Sequence, residues 1–158
     1  MSFERALWLF PAVVTLHNLE EALWLPRWAA QKRLYTPGSA VFTFAASILA
    51  LLAFALTWLS FRAGNQSLWA YLVFGYMIAM VANVAFPHLT MSILRRSYMP
   101  GLGTGVVLVM PVLSALTARA VHLGFVAGLP AVEAAVLVPL VLASSIPALF
   151  ALGRALRL

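Results

Sequence analysis

The chain of 158 residues contains no cysteine, which excludes disulfides, thiolate metal ligands and a cysteine nucleophile, and leaves the redox compartment unread. Aspartate is missing as well, since all four acidic residues are glutamates, so a Ser-His-Asp arrangement could form only with Glu as its third member. Charged residues make up just 9% of the chain. There is no glycine-rich phosphate loop followed by lysine, no linker and no low-complexity tail. No internal repeat is evident, which argues against a transporter built from inverted halves. The first apolar stretch lacks the small-residue cleavage pattern of a secretory signal, so it is expected to be retained.

Apolar side chains dominate what remains. Hydrophobic residues account for 64% of the chain and its mean hydropathy is +1.00, a composition suited to lipid. Five windows are long enough as helix to cross a hydrocarbon core: Ala6 to Trp28, Ser39 to Phe61, Leu68 to Leu94, Leu102 to His122 and Leu129 to Leu152. Their apolar runs are continuous rather than alternating, which favours helices over a barrel. The expectation is an all-α polytopic membrane bundle of about five transmembrane helices, a single domain spanning residues 1–158. Turn residues mark the connections at Tyr35 to Gly38, Ala63 to Gln66, Ser97 to Gly101 and Gly124 to Gly128.

Net charge is +6, but the basic residues are scattered through the loops, which argues against nucleic acid as a partner. With five crossings, Arg5, Arg62 and Arg119 share one side; Arg27, Lys32, Arg33, Arg95, Arg96, Arg154 and Arg157 share the other. Three against seven places the N-terminus outside and the C-terminus inside, with anionic lipid headgroups as partners of the inner arginines.

The first window is interrupted by His17, Asn18, Leu19, Glu20 and Glu21, an H-x-x-E-E run. A charge near a bilayer centre costs about 2.5–3.5 kcal/mol on insertion scales, so titratable groups clustered there call for a purpose. His17 has Glu20 at i+3 and Glu21 at i+4 on adjoining parts of one helix face. Depth brings in a second histidine: His88 precedes Arg95 much as the two glutamates precede Arg27, which sets them in one layer. On an ideal helix Asn83 and His88 would point about 140° apart, but Pro87 removes a backbone donor, and the resulting distortion is what could turn both toward one cavity.

His17 to Glu21, the following Leu25-Pro26-Arg27-Trp28, Asn83 with His88, and Tyr98-Met99-Pro100-Gly101 together resemble the HXXEE family of small bacterial integral membrane proteins. The resemblance extends over nearly the whole chain and implies a bacterial cytoplasmic membrane location. The family is named for its motif and has no assigned activity, so the likeness supports the choice of residues rather than a reaction.

Two imidazoles and a carboxylate form a common shell for zinc, iron or manganese and leave positions open for water or substrate. His17, His88 and one of Glu20 and Glu21 are the expected ligands, with the remaining glutamate activating water and Asn83 orienting substrate or stabilising an oxyanion. The expected activity is hydrolysis of a lipid-like or membrane-associated substrate at the inner leaflet. The H-E-x-x-H pattern of soluble metalloproteases is not present, and the likeness to intramembrane prenyl-protein proteases is one of analogy.

Two rival readings stand beside it. A protonated glutamate and a histidine could isomerise or cyclise a lipid without metal, with Trp24, Trp69, Tyr71 and Tyr76 available to a carbocation, although such aromatics also serve as interface anchors. Alternatively the polar layer handles protons or cations, or only pairs helix one with helix three; self-association as a homo-oligomer is left open. Arg119, His122 and Glu133 read as a solvated interface cluster, and Gly101, Gly103 and Gly105 as packing positions. Pro111, Pro139 and Pro147 are expected to kink helices four and five.

Overall fold

The computed structural model describes residues 2–34 and 36–158, so Tyr35, where the first turn was expected to begin, lies outside the described residues. It is a bundle of helices without a strand among those residues. A short helix α1 (Phe3–Leu7), capped by the Ser2 hydroxyl, leads into α2 (Leu9–Gln31). The expected first window therefore divides at Trp8 and ends one turn later than predicted. Next come α3 (Ser39–Ala63), closed by Gly64 at φ 82°, and α4 (Leu68–Asn83), opened by the Ser67 hydroxyl, which accepts from Ala70 N–H at 3.2 Å.

From α4 the chain continues through Val84–Leu89, a π-type segment kinked where Phe86 leaves helical geometry, into α5 (Thr90–Arg95), and these pieces together make one membrane-length span, Leu68–Arg95. A second span, the rod Leu102–His122, is made of α6 (Leu102–Thr104), a π-helical stretch Gly105–Leu113 and α7 (Ser114–His122), without a comparable break. Each π segment contains a proline, Pro87 or Pro111, whose missing N–H interrupts the ordinary ladder. The Thr90 hydroxyl donates to the opened Ala85 carbonyl at 2.7 Å. The last helix, α8 (Gly128–Ala155), runs on through Pro139 and Pro147 as one element.

Four of these helices, Ser39–Ala63, Leu68–Arg95, Leu102–His122 and Gly128–Ala155, are long and apolar enough to cross a membrane. Leu9–Gln31 has the length but not the apolarity, because the H-x-x-E-E run sits at its middle. Broad exposure of Leu51, Trp58, Val107, Leu137 and Leu140 on the outside of the bundle is what a lipid solvent requires, and the chain is an integral membrane protein.

Two polar ties set the register of the neighbouring helices. Asn18 Nδ2 donates to the Ala46 carbonyl at 3.0 Å, joining α2 to α3, and the Tyr76 hydroxyl donates to the Leu49 carbonyl at 3.0 Å, joining α4 to α3. Phe10, Val14, Val73, Met77, Val109 and Leu113 fill the centre. The outermost helix, α8, buries only Ala134 and Gly153 fully and packs most extensively on α4. They approach tightly at Gly75, where a Cβ would collide with the Ala134 carbonyl and the Val138 side chain. Close approach through a small residue is how helices gain packing in lipid. Gly75→Ala is expected to destabilise the bundle by about 1–3 kcal/mol, the usual cost of overpacking, measured by equilibrium unfolding in detergent.

Candidate functional site

Helix α2 sends its three titratable motif residues in two directions. His17 and Glu21, four apart, face the π-helical segment after α4, while Glu20 faces the start of the rod Leu102–His122. His17 and Glu20 are buried, and Glu21 keeps slight exposure.

On the first side, His88 Nε2 lies 2.7 Å from Glu21 Oε1, and His17 Nε2 lies 3.7 Å from the same oxygen. The two imidazole rings meet edge to face with centroids 5.2 Å apart. The Asn83 amide Nδ2 stands 3.3 Å from both Nε2 atoms. The kink in the π segment makes this possible: Phe86 leaves helical geometry (φ −140°, ψ 120°), and the break brings Asn83 and His88, five apart, onto one side. The distortion expected from Pro87 is present, and it turns Asn83 and His88 toward the same point.

On the second side Glu20 accepts four hydrogen bonds. Gly101 N–H reaches Oε1 at 2.8 Å, Thr104 N–H reaches Oε2 at 2.8 Å, the Thr104 hydroxyl reaches Oε2 at 2.6 Å, and the Tyr98 hydroxyl donates to Oε1. Partial burial, and the carboxylate beside it, raise the Tyr98 hydroxyl above the ordinary tyrosine pKa and keep it a donor. The Tyr98 oxygen in turn accepts from Gly103 N–H at 3.1 Å. A carboxylate in this place satisfies N–H groups that open a helix and have no partner within it.

The Thr104 hydroxyl links the two sides. Its single proton is directed to Glu20, so its oxygen must accept from His17 Nδ1, which stands 3.0 Å away. His17 is thereby fixed with its proton on Nδ1 and its lone pair on Nε2, aimed at Glu21, Asn83 and His88. The threonine hydroxyl thus relays the Glu20 carboxylate to His17, as outer hydrogen-bond partners orient imidazoles in metal sites. The His88 ring is held differently: its Nδ1 is buried without a hydrogen-bond partner among the described residues, and Gly101, at φ 95°, packs so close that a Cβ there would overlap the ring.

Of the residues expected at the site, the structure brings together His17, Glu21, Asn83 and His88 and sets Glu20 apart, with its oxygens engaged by the helix start. Among the described residues, His17, Glu21 and His88 form a group able to hold a metal ion, their ligand atoms all lying within 4.8 Å of one another. Ligand bonds of about 2.0–2.2 Å in a tetrahedron imply edges near 3.3–3.6 Å; the His17–Glu21 separation of 3.7 Å is near that, whereas the 2.7 Å between His88 and Glu21 is a hydrogen-bond distance that would lengthen around an ion. Thr104 was not anticipated; only its place at the opening of a glycine-rich helix start could have pointed to it. Gly101 and Gly103 do more than pack, since the first gives an N–H to Glu20 and makes room for His88, and the second gives an N–H to Tyr98. No ion pair joins Arg119, His122 and Glu133 among the described residues, and Arg119 lies over the Phe3 ring at 5.9 Å.

Comparison with known proteins places this geometry in a family. Residues 8–116 match the family described as "Protein of unknown function with HXXEE motif", and the chain belongs to it. A relative in Bacillus subtilis (strain 168), described as uncharacterized protein YrkK, is 32% identical over 148 residues, covering 91% of this chain and 92% of the relative. No solved structure matches the chain.

The two glutamates should respond differently to substitution. Glu20→Gln replaces an acceptor with a donor facing Thr104 or Gly101, and is expected to lower stability by about 1–3 kcal/mol. Glu21→Gln keeps a polar group beside His88 and is expected to stay within about 1 kcal/mol of the native protein in the same unfolding measurement.

Proposed function

We propose that this HXXEE-family protein is a metal-dependent membrane hydrolase whose zinc, iron or manganese ion is held by His17 Nε2, His88 Nε2 and Glu21, and whose substrate is a lipid-like molecule taken from the membrane. The observation that carries the reading is the convergence of two imidazole nitrogens and a carboxylate oxygen on one buried point, with His17 preset in the ligating tautomer by Thr104. Such a donor set suits borderline divalent ions, and an ion there offsets the burial of a carboxylate.

When bound, the ion supplies Lewis acidity and makes water a nucleophile near neutral pH. The chain's own groups divide the remaining work. Glu21 has a second oxygen with no hydrogen-bond partner among the described residues, placed to take a proton from water and pass it to the leaving oxygen as the carbonyl–oxygen bond breaks. Asn83 can offer an amide N–H to the oxygen that gains charge or, turned over, its own oxygen to the ion. Glu20 and Thr104 are positioning residues that act through His17.

Seven residues separate His88 from Arg95, about 10 Å along a helix, so the site lies well inside the end of the bundle that carries most of the arginines. By the positive-inside bias that end faces the cytoplasm, which puts the N-terminus outside, the site in the inner leaflet and anionic lipids around it.

One observation favours a metal-free alternative. The direct 2.7 Å contact of Glu21 with His88 is also a proton-sharing pair, able to serve acid/base isomerisation of a lipid. Metal content per chain separates the two readings. Native protein purified in mild detergent should retain one of the three ions near stoichiometrically and His88→Ala should lose it, by elemental mass spectrometry. Thr104→Val should bind that ion about 10–100-fold more weakly in competition with a chelator. A folded native protein that retains none of the three ions when each is offered in excess overturns the metal reading in favour of the acid/base pair.

A further inference from the structure

We propose that the substrate is a lipid with one hydrocarbon tail, held in a channel of about 600 Å³ among α2, α3, α4 and α8 with its reactive head at Asn83 and its tail toward Tyr76. This rests on the reading of His17, Glu21 and His88 as a reactive centre, and adds the substrate's shape, direction and route.

The channel is polar at one end only. Asn18, Glu21, Asn83 and His88 line it there, and Asn18 has already committed an amide proton to Ala46. Helix register shows where that end lies. Phe42 and Phe150, whose rings stand 5.9 Å apart, both line the channel, and Gly153 of α8 abuts Val41 and Phe44 of α3. Tyr76 meets Leu49 of α3, and Gly75 meets Val138 of α8. Leu49, Tyr76 and Pro139 therefore mark the far end, with α3 running from Phe42 to Leu49 while α4 runs back from Asn83 to Tyr76. The run from Asn83 to Tyr76 spans about 10 Å and that from Phe150 to Pro139 about 16 Å of helix.

The far end suits hydrocarbon. The Tyr76 hydroxyl, the polar group nearest it, has already given its proton to the Leu49 carbonyl, so it has none to offer a carboxylate or other anion arriving there. Ala45, Ala46, Ala79 and Ala143 keep the walls short. The volume falls within the range of sites that enclose one drug-sized ligand, about 300–1,000 Å³, and suits one tail better than the two of a phospholipid.

The mouth faces lipid. Phe86 and Leu140 line the channel yet stay 68% and 61% exposed, on the π-helical segment and on the outermost helix respectively. A tail can thus enter sideways from the bilayer between the Val84–Leu89 segment and α8 without crossing water. The other large cavity, of about 780 Å³ beside Trp24, Arg27 and Trp28, borders Glu20 and Thr104 instead, and among its lining residues are none of the three candidate ligands.

The test uses Ala79→Phe, which fills the channel one turn from Asn83 without altering any proposed ligand. Native mass spectrometry of the full chain from detergent, with free fatty acids of increasing length and a two-chain phosphatidylglycerol as probes, reads occupancy. The native chain should bind one long fatty acid in preference to the phospholipid. Ala79→Phe should bind long fatty acids at least about tenfold more weakly and keep the native metal content. Ala79→Leu, which adds less volume, serves if the phenylalanine variant does not fold. Native protein that binds no fatty acid or prefers the phospholipid, or a folded variant that binds long chains as the native protein does, overturns the channel. The two proposals fail separately: loss of chain selectivity with metal retained removes the channel alone, and chain selectivity in a protein without metal removes the metal reading alone.

Discussion

Placing the Glu20 carboxylate inside a membrane bundle is the constraint from which the rest of the site follows. An ionised group there is tolerable only with a full set of donors, and the chain supplies four from one short stretch, Tyr98 to Thr104. Those donors are the opening N–H groups of a helix together with two hydroxyls, so the carboxylate and the helix start satisfy each other. That exchange ties α2 to the rod Leu102–His122 at one fixed height. It also gives Thr104 a fixed hydroxyl direction, and through it gives His17 one tautomer. Glu21, one residue on and about 100° around the helix, is left to face His17 and His88.

The opposite wall depends on disturbed helix geometry. Without the π segment, Asn83 and His88 would diverge; with it, both reach His17 Nε2 or Glu21 within hydrogen-bonding range. Gly101 completes the fit because its missing side chain makes room for the His88 ring while its N–H holds Glu20. One glycine thus touches both halves of the site. That coupling explains how a small bundle can position two histidines from different helices without long loops.

Much of this was legible in the sequence. Continuous apolar runs located the long helices to within a turn, and the penalty for charge in lipid singled out His17, Glu20 and Glu21. Counting back from Arg95 brought His88 to the same layer, and Pro87 announced the distortion at Asn83. The separation of Glu20 from Glu21 was not legible. Both lie beside His17 on a helix, and only the groups across the interface decide which one is bound to donors and which one meets the histidines. Thr104 was hidden for the same reason: its importance comes from contacts with residues far away in the chain.

In the proposed metal centre His17 and His88 join Glu21, while Glu20 serves as the frame. X-ray absorption at the edge of the ion bound by the native protein tests it most directly. The account predicts a first shell of nitrogen and oxygen donors at about 2.0–2.2 Å, with outer-shell scattering from two imidazoles. A shell of oxygen donors without imidazole scattering would contradict it.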